Sequence, residues 1–341
     1  MFTDAVGETL PHGGDLGIAR QLFPGAPEPF VDLSTGINPW SYPLARFPGD
    51  AFSRLPQQDA VTAVAAAAAK AYGTPSAKHV VVAPGSQILL ALVASLAPPS
   101  KAIVAAPTYP ELTRAAALAG HDVRTMDTIK HCGEAKLIMV ANPNNPDGRR
   151  FARKSLLKLA QELHGRGGLL VVDEAFMDIE PPGASLAPEL ACGNIVVLRS
   201  FGKFFGLPGL RLGFALTAPP LARRLSAVLG PWPASGPALA IGAKALADAA
   251  WIARTRERLA KAAASLDAIL GKAGLDVFGG TDLFRLVRSE VAPALFQHLG
   301  RAGIYVRAFP DHGTWLRFGL PANARTRERF KKALASFDQP R

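Results

Sequence analysis

From about residue 78 the chain alternates short apolar runs with stretches of helical spacing, and this alternation limits the fold more than any other feature. His79–Val82 ends at Pro84-Gly85-Ser86, and Gln87–Leu96 then reads as a helix. Ala102–Ala105 leads through Pro107-Thr108-Tyr109-Pro110 into the Ala-rich helix Glu111–Ala119. Leu137–Val140 enters the turn-rich Asn142–Gly148, and helical spacing resumes over Lys154–His164. Leu169–Val172, Ile195–Leu198 and Leu212–Leu216 are three further runs, each short enough to be a strand buried on both faces. Such a pattern predicts an α/β domain built on a mostly parallel sheet flanked by helices. Open sheets of this kind bind ligands beyond the carboxyl ends of their strands. Here those ends carry Gly85-Ser86-Gln87, Tyr109, Asn142–Asn145, Asp173 and Ser200.

Gly230–Pro237 is rich in Pro and Gly and predicts a boundary. Beyond it the spacing predicts one long amphipathic helix over residues 237–273, then a smaller α+β domain from Leu275 to Gln339. The first forty or so residues hold turn formers and little periodicity, so they are expected to wrap on another part of the chain. The expected organisation is an N-terminal segment, 1–44, packing on the small domain and active site, a large domain, 45–236, and a small domain, 237–341. There is no internal repeat, and Val61 and Val64 make the Ala65–Ala69 run a helix rather than a linker.

Hydrophobic residues make up 49% and charged residues 19%, a balance that excludes intrinsic disorder. Cys132 and Cys192 alone exclude a disulfide scaffold or a four-cysteine zinc site, and no metal is expected. The start of the sequence has no basic-then-apolar signal pattern, and no uninterrupted apolar run reaches the ~18 residues of a membrane span. A soluble, cytoplasmic protein without a membrane partner is the expectation. An excess of 38 Lys and Arg over 27 Asp and Glu, a net +11, leaves nucleic acid, anionic metabolites or a merely basic surface open.

The stretch Ser200–Gly213 carries the chemistry. Reading Gly202-Lys203 as a phosphate loop fails, because Phe204 is neither Ser nor Thr and Val197 stands where the first Gly should be. Lys203 is a solvated surface lysine on one reading. On the other, Phe201, Phe204 and Phe205 desolvate its amine and lower its pKa, the condition for a Schiff base with an aldehyde cofactor.

Ser200-x-x-Lys203 followed by Gly206-Leu207-x-Gly209-x-Arg211-x-Gly213 resembles the cofactor-lysine motif of the fold-type I pyridoxal-phosphate enzymes, the class I/II aminotransferase family. Upstream, Asn142-Pro143-Asn144-Asn145-Pro146-Asp147-Gly148 and Val172-Asp173-Glu174-Ala175-Phe176 resemble two more of its landmarks, in order and about thirty residues apart. The resemblance runs from His12 to about Leu320 and implies a homodimer with pyridoxal 5'-phosphate as cofactor. It implies that Lys203 is the catalytic lysine and that Asp173 keeps the pyridine nitrogen protonated, so that the ring can accept electrons from the breaking bond. A buried carboxylate there needs a cationic neighbour. Asn145 would donate to the phenolic oxygen. Backbone N–H groups of Gly85, Ser86 and Gln87, where a strand turns into a helix, would hold the phosphate with Ser200 and Arg211. Tyr109 would stack on the pyridine face, ordinary packing being the alternative. Two departures stand out: Phe176 replaces a tyrosine that also bonds the phenolic oxygen, and Phe47-Pro48 and Leu55-Pro56 lack the hydroxyl of the Tyr-Pro pair that reaches a partner's phosphate.

Arg307 and Arg317 lie at strand-like alternation among apolar and aromatic residues. Arg317 matches the family's substrate-anion arginine, while Arg307 is either a second such group or a surface arginine on a half-exposed strand. His12-Gly13-Gly14-Asp15 and Asp32–Pro39 resemble the branch of the family that decarboxylates L-threonine O-3-phosphate to (R)-1-aminopropan-2-yl phosphate and carbon dioxide in cobalamin biosynthesis. On that resemblance the substrate is a phosphorylated amino acid whose phosphate meets Arg317, Arg307 and His12, with Asn38 near the α-carboxylate. A histidinol-phosphate-type aminotransferase, with Lys203 as base, is the alternative, and the local motifs do not separate the two. An aminotransferase-like transcription regulator is the remote one, since the Pro/Gly-rich residues ahead of the large domain show no helix-turn-helix pattern. Most basic residues, Arg254, Arg256 and Arg258 among them, mix with acids on helical faces. The +11 therefore favours an anionic substrate over nucleic acid.

Overall fold

The computed structural model describes residues 12–44 and 49–338. These divide into two compact units, one of residues 41–44, 49–145 and 149–253, the other of residues 12–40, 146–148 and 254–338. Strand β1 (Val31–Leu33) belongs to the second unit, and β2 (Val80–Ala83), β3 (Lys101–Ala105), β4 (Asp122–Met126), β5 (Leu137–Ala141), β6 (Leu169–Asp173), β7 (Ile195–Ser200) and β8 (Gly213–Thr217) form the sheet of the first.

That sheet has the order β2-β8-β7-β6-β5-β3-β4. Pairing is parallel from β7 through β4, whereas β8 runs antiparallel to both its neighbours. All strands except β8 therefore point the same way, and the start of β8 lies at the edge where the others end. The apolar runs read from the sequence all become strands. β4 escaped that reading for a physical reason: an edge strand pairs on one side only, and Asp-Val-Arg-Thr-Met is partly or fully exposed along its length. Helices Ser86–Ala94, Glu111–Leu118 and Arg153–His164 follow β2, β3 and β5, within two residues of expectation at each end. Leu89, Leu112, Val104, Met139, Val171 and Leu198 are fully buried in one apolar core, as a sheet covered by helices requires.

The expected single helix over residues 237–273 is in fact two, Gly236–Ala247 and Ala249–Lys272. Asp248 leaves the helical region at φ −85°, ψ 74°, and its Oδ1 accepts from the N–H of Trp251 at 2.9 Å. Aspartate competes with helix continuation by bonding the N–H groups of the next first turn, so an amphipathic period alone reads through the break.

The second unit carries a sheet of order β1-β11-β12-β10-β9, where β9 is Asp276–Thr281, β10 Phe284–Arg288, β11 Ile304–Ala308 and β12 Trp315–Gly319. β1 pairs parallel with β11 and the remaining pairs are antiparallel. The early segment thus supplies an edge strand and a helix, Leu16–Leu22, capped by Asp15. Ala19, Phe23 and Phe30 bury against Tyr305. Among the described residues no helix is long and apolar enough to cross a membrane.

Candidate active site

The register of β8 assembles one corner of the first unit. Gly213, its first residue, is flanked by Ala83 at the end of β2 and by Ser200 at the end of β7. Residues 85–86 are far in sequence from the Ser200–Arg211 stretch, and this pairing gathers them. Gly85 takes φ +91°, and a Cβ there would lie 2.6 Å from Nη2 of Arg211. On Gly213 a Cβ would lie 2.4 Å from the Ser86 nitrogen. Glycine at both positions lets the guanidinium and the start of helix Ser86–Ala94 close on one another. Arg211 sits at φ 52°, the one non-glycine residue with positive φ among those described, and it is exposed. Strain of that sort at a ligand-facing turn is held by the surrounding structure. First-turn N–H groups, which have no partner within their own helix, the positive end of that helix and a guanidinium together have the chemistry to cradle a small dianion such as a phosphate monoester.

Asp173 closes β6, with its backbone carbonyl accepting from the N–H of Asn142 at 2.8 Å. Its carboxylate is buried and takes the Ala175 N–H at 3.1 Å. Burial pushes the carboxyl up to about 6, while the Ala175 N–H and the positive charge of Lys203 pull it back. This position is suited to a cationic ring nitrogen, whose charge would restore the carboxylate. Lys203 is half-buried in the short helix Phe201–Phe204, with Nζ 6.0 Å from the ring centroid of Phe176. Phe201 and Phe205 stack on one another at 4.3 Å, and Phe205 stacks on Trp251 at 5.5 Å, so these sequence neighbours anchor the helix. The aromatic face toward the amine is that of Phe176, the residue that departs from the family pattern.

Tyr109 is half-buried against the core and its hydroxyl donates to Oε1 of Gln87 at 2.9 Å. Gln87 in turn donates to Glu111 at 2.9 Å, so its side chain orients Tyr109 and only its backbone addresses the cradle. Asn142 accepts from the Phe151 N–H, and Asn144 joins Thr108 and the Pro107 carbonyl, which builds the turn that carries half-buried Asn145. The cofactor residues expected from the sequence thus all fall at one edge of the first unit's sheet.

A group that sequence reasoning missed lies behind this edge. Arg199, the residue before Ser200, is buried and bridges Glu174 at 3.0 Å and Asp178 at 2.5 Å, its guanidinium 4.1 Å from the Tyr72 ring centroid. Burial alone would lower the arginine's pKa, yet Asp178 and Glu174 carry it upward, and burial raises Glu174 against the pull of Arg199. The signal was present as one arginine inside a buried apolar strand, which must find carboxylates.

Arg307, Arg317, His12 and Asn38 all belong to the second unit. Arg307 and Arg317 are directly opposed on β11 and β12. Two like charges facing one another on a ladder destabilise it unless an anion joins them. Arg317 is buried, donates from Nη2 to the Ser34 carbonyl at 2.8 Å and lies 5.0 Å from the Phe284 centroid. Arg307 is half-buried, 5.5 Å from the Phe309 centroid. Asn38 is buried with its side-chain oxygen on the Trp40 N–H at 2.9 Å, and His12 is exposed. Of the two Tyr-Pro replacements, Leu55 is exposed and Phe47-Pro48 lies outside the described residues.

A helix-flanked sheet with a lysine, a buried aspartate and an anion cradle at its carboxyl edge defines a cofactor-dependent enzyme. The chain belongs to the aminotransferase class I and II family, whose match covers residues 48–337. It is 42% identical to a threonine-phosphate decarboxylase of Sinorhizobium sp., over 96% of this chain and 98% of that one. To the threonine-phosphate decarboxylase of Pseudomonas aeruginosa it is 39% identical, over 97% and 99%. Histidinol-phosphate aminotransferase 1 of Psychrobacter arcticus is 31% identical over 59% of this chain and 55% of its own. The structure of histidinol-phosphate aminotransferase from Sinorhizobium meliloti in complex with pyridoxal-5'-phosphate shares the fold, with a TM-score of 0.79, 21% identity and coverage of 97% and 96%.

Proposed function

We propose that this chain is a threonine-phosphate decarboxylase, converting L-threonine O-3-phosphate to (R)-1-aminopropan-2-yl phosphate and carbon dioxide in cobalamin biosynthesis. The observation that carries this reading is likeness along the whole chain to two such decarboxylases, whereas the histidinol-phosphate relative matches little more than half of it.

The cofactor is pyridoxal 5'-phosphate, which supplies an aldehyde for the substrate amine and a protonated ring that accepts the electron pair left when carbon dioxide departs. Lys203 holds the aldehyde end and, once released, returns a proton to the α carbon. Asp173 keeps the ring nitrogen charged. Gly85, Ser86 and Gln87 through their N–H groups, with Ser200 and Arg211, bind the cofactor phosphate; Asn145 donates to the phenolic oxygen and Tyr109 covers the ring. Arg317, Arg307 and His12 receive the substrate phosphate, and Asn38 lies toward the carboxylate. The enzyme works as a cytoplasmic homodimer.

Incubation with threonine O-phosphate, and separately with histidinol phosphate plus 2-oxoglutarate, decides the reaction. Carbon dioxide release in the first alone is expected; glutamate formation in the second alone overturns the assignment. Borohydride should fix the cofactor to Lys203, and a colourless Lys203→Ala variant that still turned over would remove that residue from its role.

A further inference from the structure

The His12-Gly13-Gly14 segment and Arg317 meet at one residue, Ser34, which is fully buried. Every polar atom of Ser34 is engaged. Its carbonyl accepts from Arg317 Nη2 at 2.8 Å. Its Oγ accepts from the Gly14 N–H at 2.8 Å and donates to Asp32 Oδ1 at 2.6 Å, and its own N–H donates to the same oxygen at 2.8 Å. A Cβ on Gly13 would lie 2.4 Å from the Ser34 carbonyl oxygen, so the segment rests directly on the atom that holds the guanidinium. Ser34 follows β1, whose Leu33 pairs with Val306, the residue before Arg307. Gly13 makes room for Ser34, whereas a Cβ on Gly14 would meet Thr35 Cγ2 at 3.1 Å.

We propose that Ser34 is a positioning residue that ties the Gly13-Gly14 segment to Arg317, so that this segment sets the orientation of the guanidinium and hence the affinity for the substrate's anionic group. The proposal rests on the reading of Arg317 as a substrate-binding residue. A guanidinium held on a fixed carbonyl meets an anion without first being ordered, and a small displacement of the carbonyl weakens that contact. Asp32 is the outer anchor: it is exposed, and it holds Ser34 through two bonds to one oxygen.

The test uses the cofactor-loaded enzyme and threonine O-phosphate. Ser34→Ala, which strips both Oγ bonds, and Gly13→Ala, which displaces the carbonyl, should each raise KM about tenfold and leave kcat within about twofold, the scale of losing one hydrogen bond that organises a charged group. Cofactor absorbance should stay put while the unfolding midpoint falls modestly, because the Gly14 N–H loses its acceptor in one variant and the Ser34 carbonyl is displaced in the other. In an Arg317→Lys background, adding Ser34→Ala should change KM by less than about twofold, because the coupled guanidinium is gone. An unchanged KM for Ser34→Ala overturns the proposal, and so does a full tenfold rise in the Arg317→Lys background. Should Ser34→Ala fail to fold, Asp32→Ala must raise KM and Asp32→Asn must restore it, and the absence of that difference is equally decisive. If the unmodified enzyme releases no carbon dioxide from threonine O-phosphate, the assigned reaction fails by itself. The coupling is then read from the dissociation constant of inorganic phosphate in the same variants, where equal values reject it.

Discussion

Asp173 shows how far a single residue's environment departs from what its type suggests. Its carboxyl, ordinarily near 3.8, is raised to about 6 by burial. In the cofactor-free protein the folded state therefore binds a proton more tightly than the unfolded chain. The resulting stability is complete below the unfolded value and is lost as pH rises through the folded one, a window of about pH 4 to 6 worth about 3 kcal/mol. Chemical denaturation across that window should show the fall in the cofactor-free protein and a flatter profile in Asp173→Asn; identical profiles would remove Asp173 as its source. The glycines at the cradle are as specific. Gly213→Ala places a methyl 2.4 Å from the Ser86 nitrogen and must push the helix start outward. Cofactor release measured by absorbance should quicken by at least about tenfold, the cost of one misplaced charge-assisted contact, with little loss of folding. The motif around Asp173, Lys203 and Arg211 was legible in the sequence because its residue types are specific to a chemistry. Ser34 was not, since a buried serine reveals its role only through its partners.

Among the elements, the apolar runs announced themselves and β4 did not, because an edge strand has no need to be apolar. The Asp248 break was hidden for a different reason. Periodicity reports which face is buried, and both helices bury a face. Asp248→Ala removes the oxygen that takes the Trp251 N–H, and urea titration should register a loss of about 1 kcal/mol, the usual worth of such a cap. The pair β6 and β7 carries a larger stake. Replacing Arg199 with Met leaves Glu174 and Asp178 buried without their cation and should cost about 3–5 kcal/mol. Joint replacement of all three by apolar residues of similar size should recover most of it. A single variant as stable as the parent would show that the network is not the anchor its burial implies.

For the whole molecule, the net +11 acts through the solution rather than through any one contact. A net-anionic substrate approaching a basic protein is drawn by a field that salt screens with a Debye length of about 10 Å at 0.1 M. For threonine O-phosphate, kcat/KM should fall as potassium chloride is raised while kcat holds; a salt-independent kcat/KM would mean that the surplus charge is distributed on solvated faces and plays no part in capture. Fold class, cofactor chemistry and the candidate residues themselves were determined by the sequence alone, because apolar alternation and motif order are properties of the chain read in one dimension. Tertiary structure decided which of them meet. Residues 85, 200 and 211 become neighbours only because β8 is inserted, reversed, between β2 and β7. Arg317 reaches Ser34 only because a three-residue strand from the other end of the chain pairs with β11. Such meetings depend on strand order and register, which are set by burial and pairing summed over the whole sheet and are written in no local stretch of sequence.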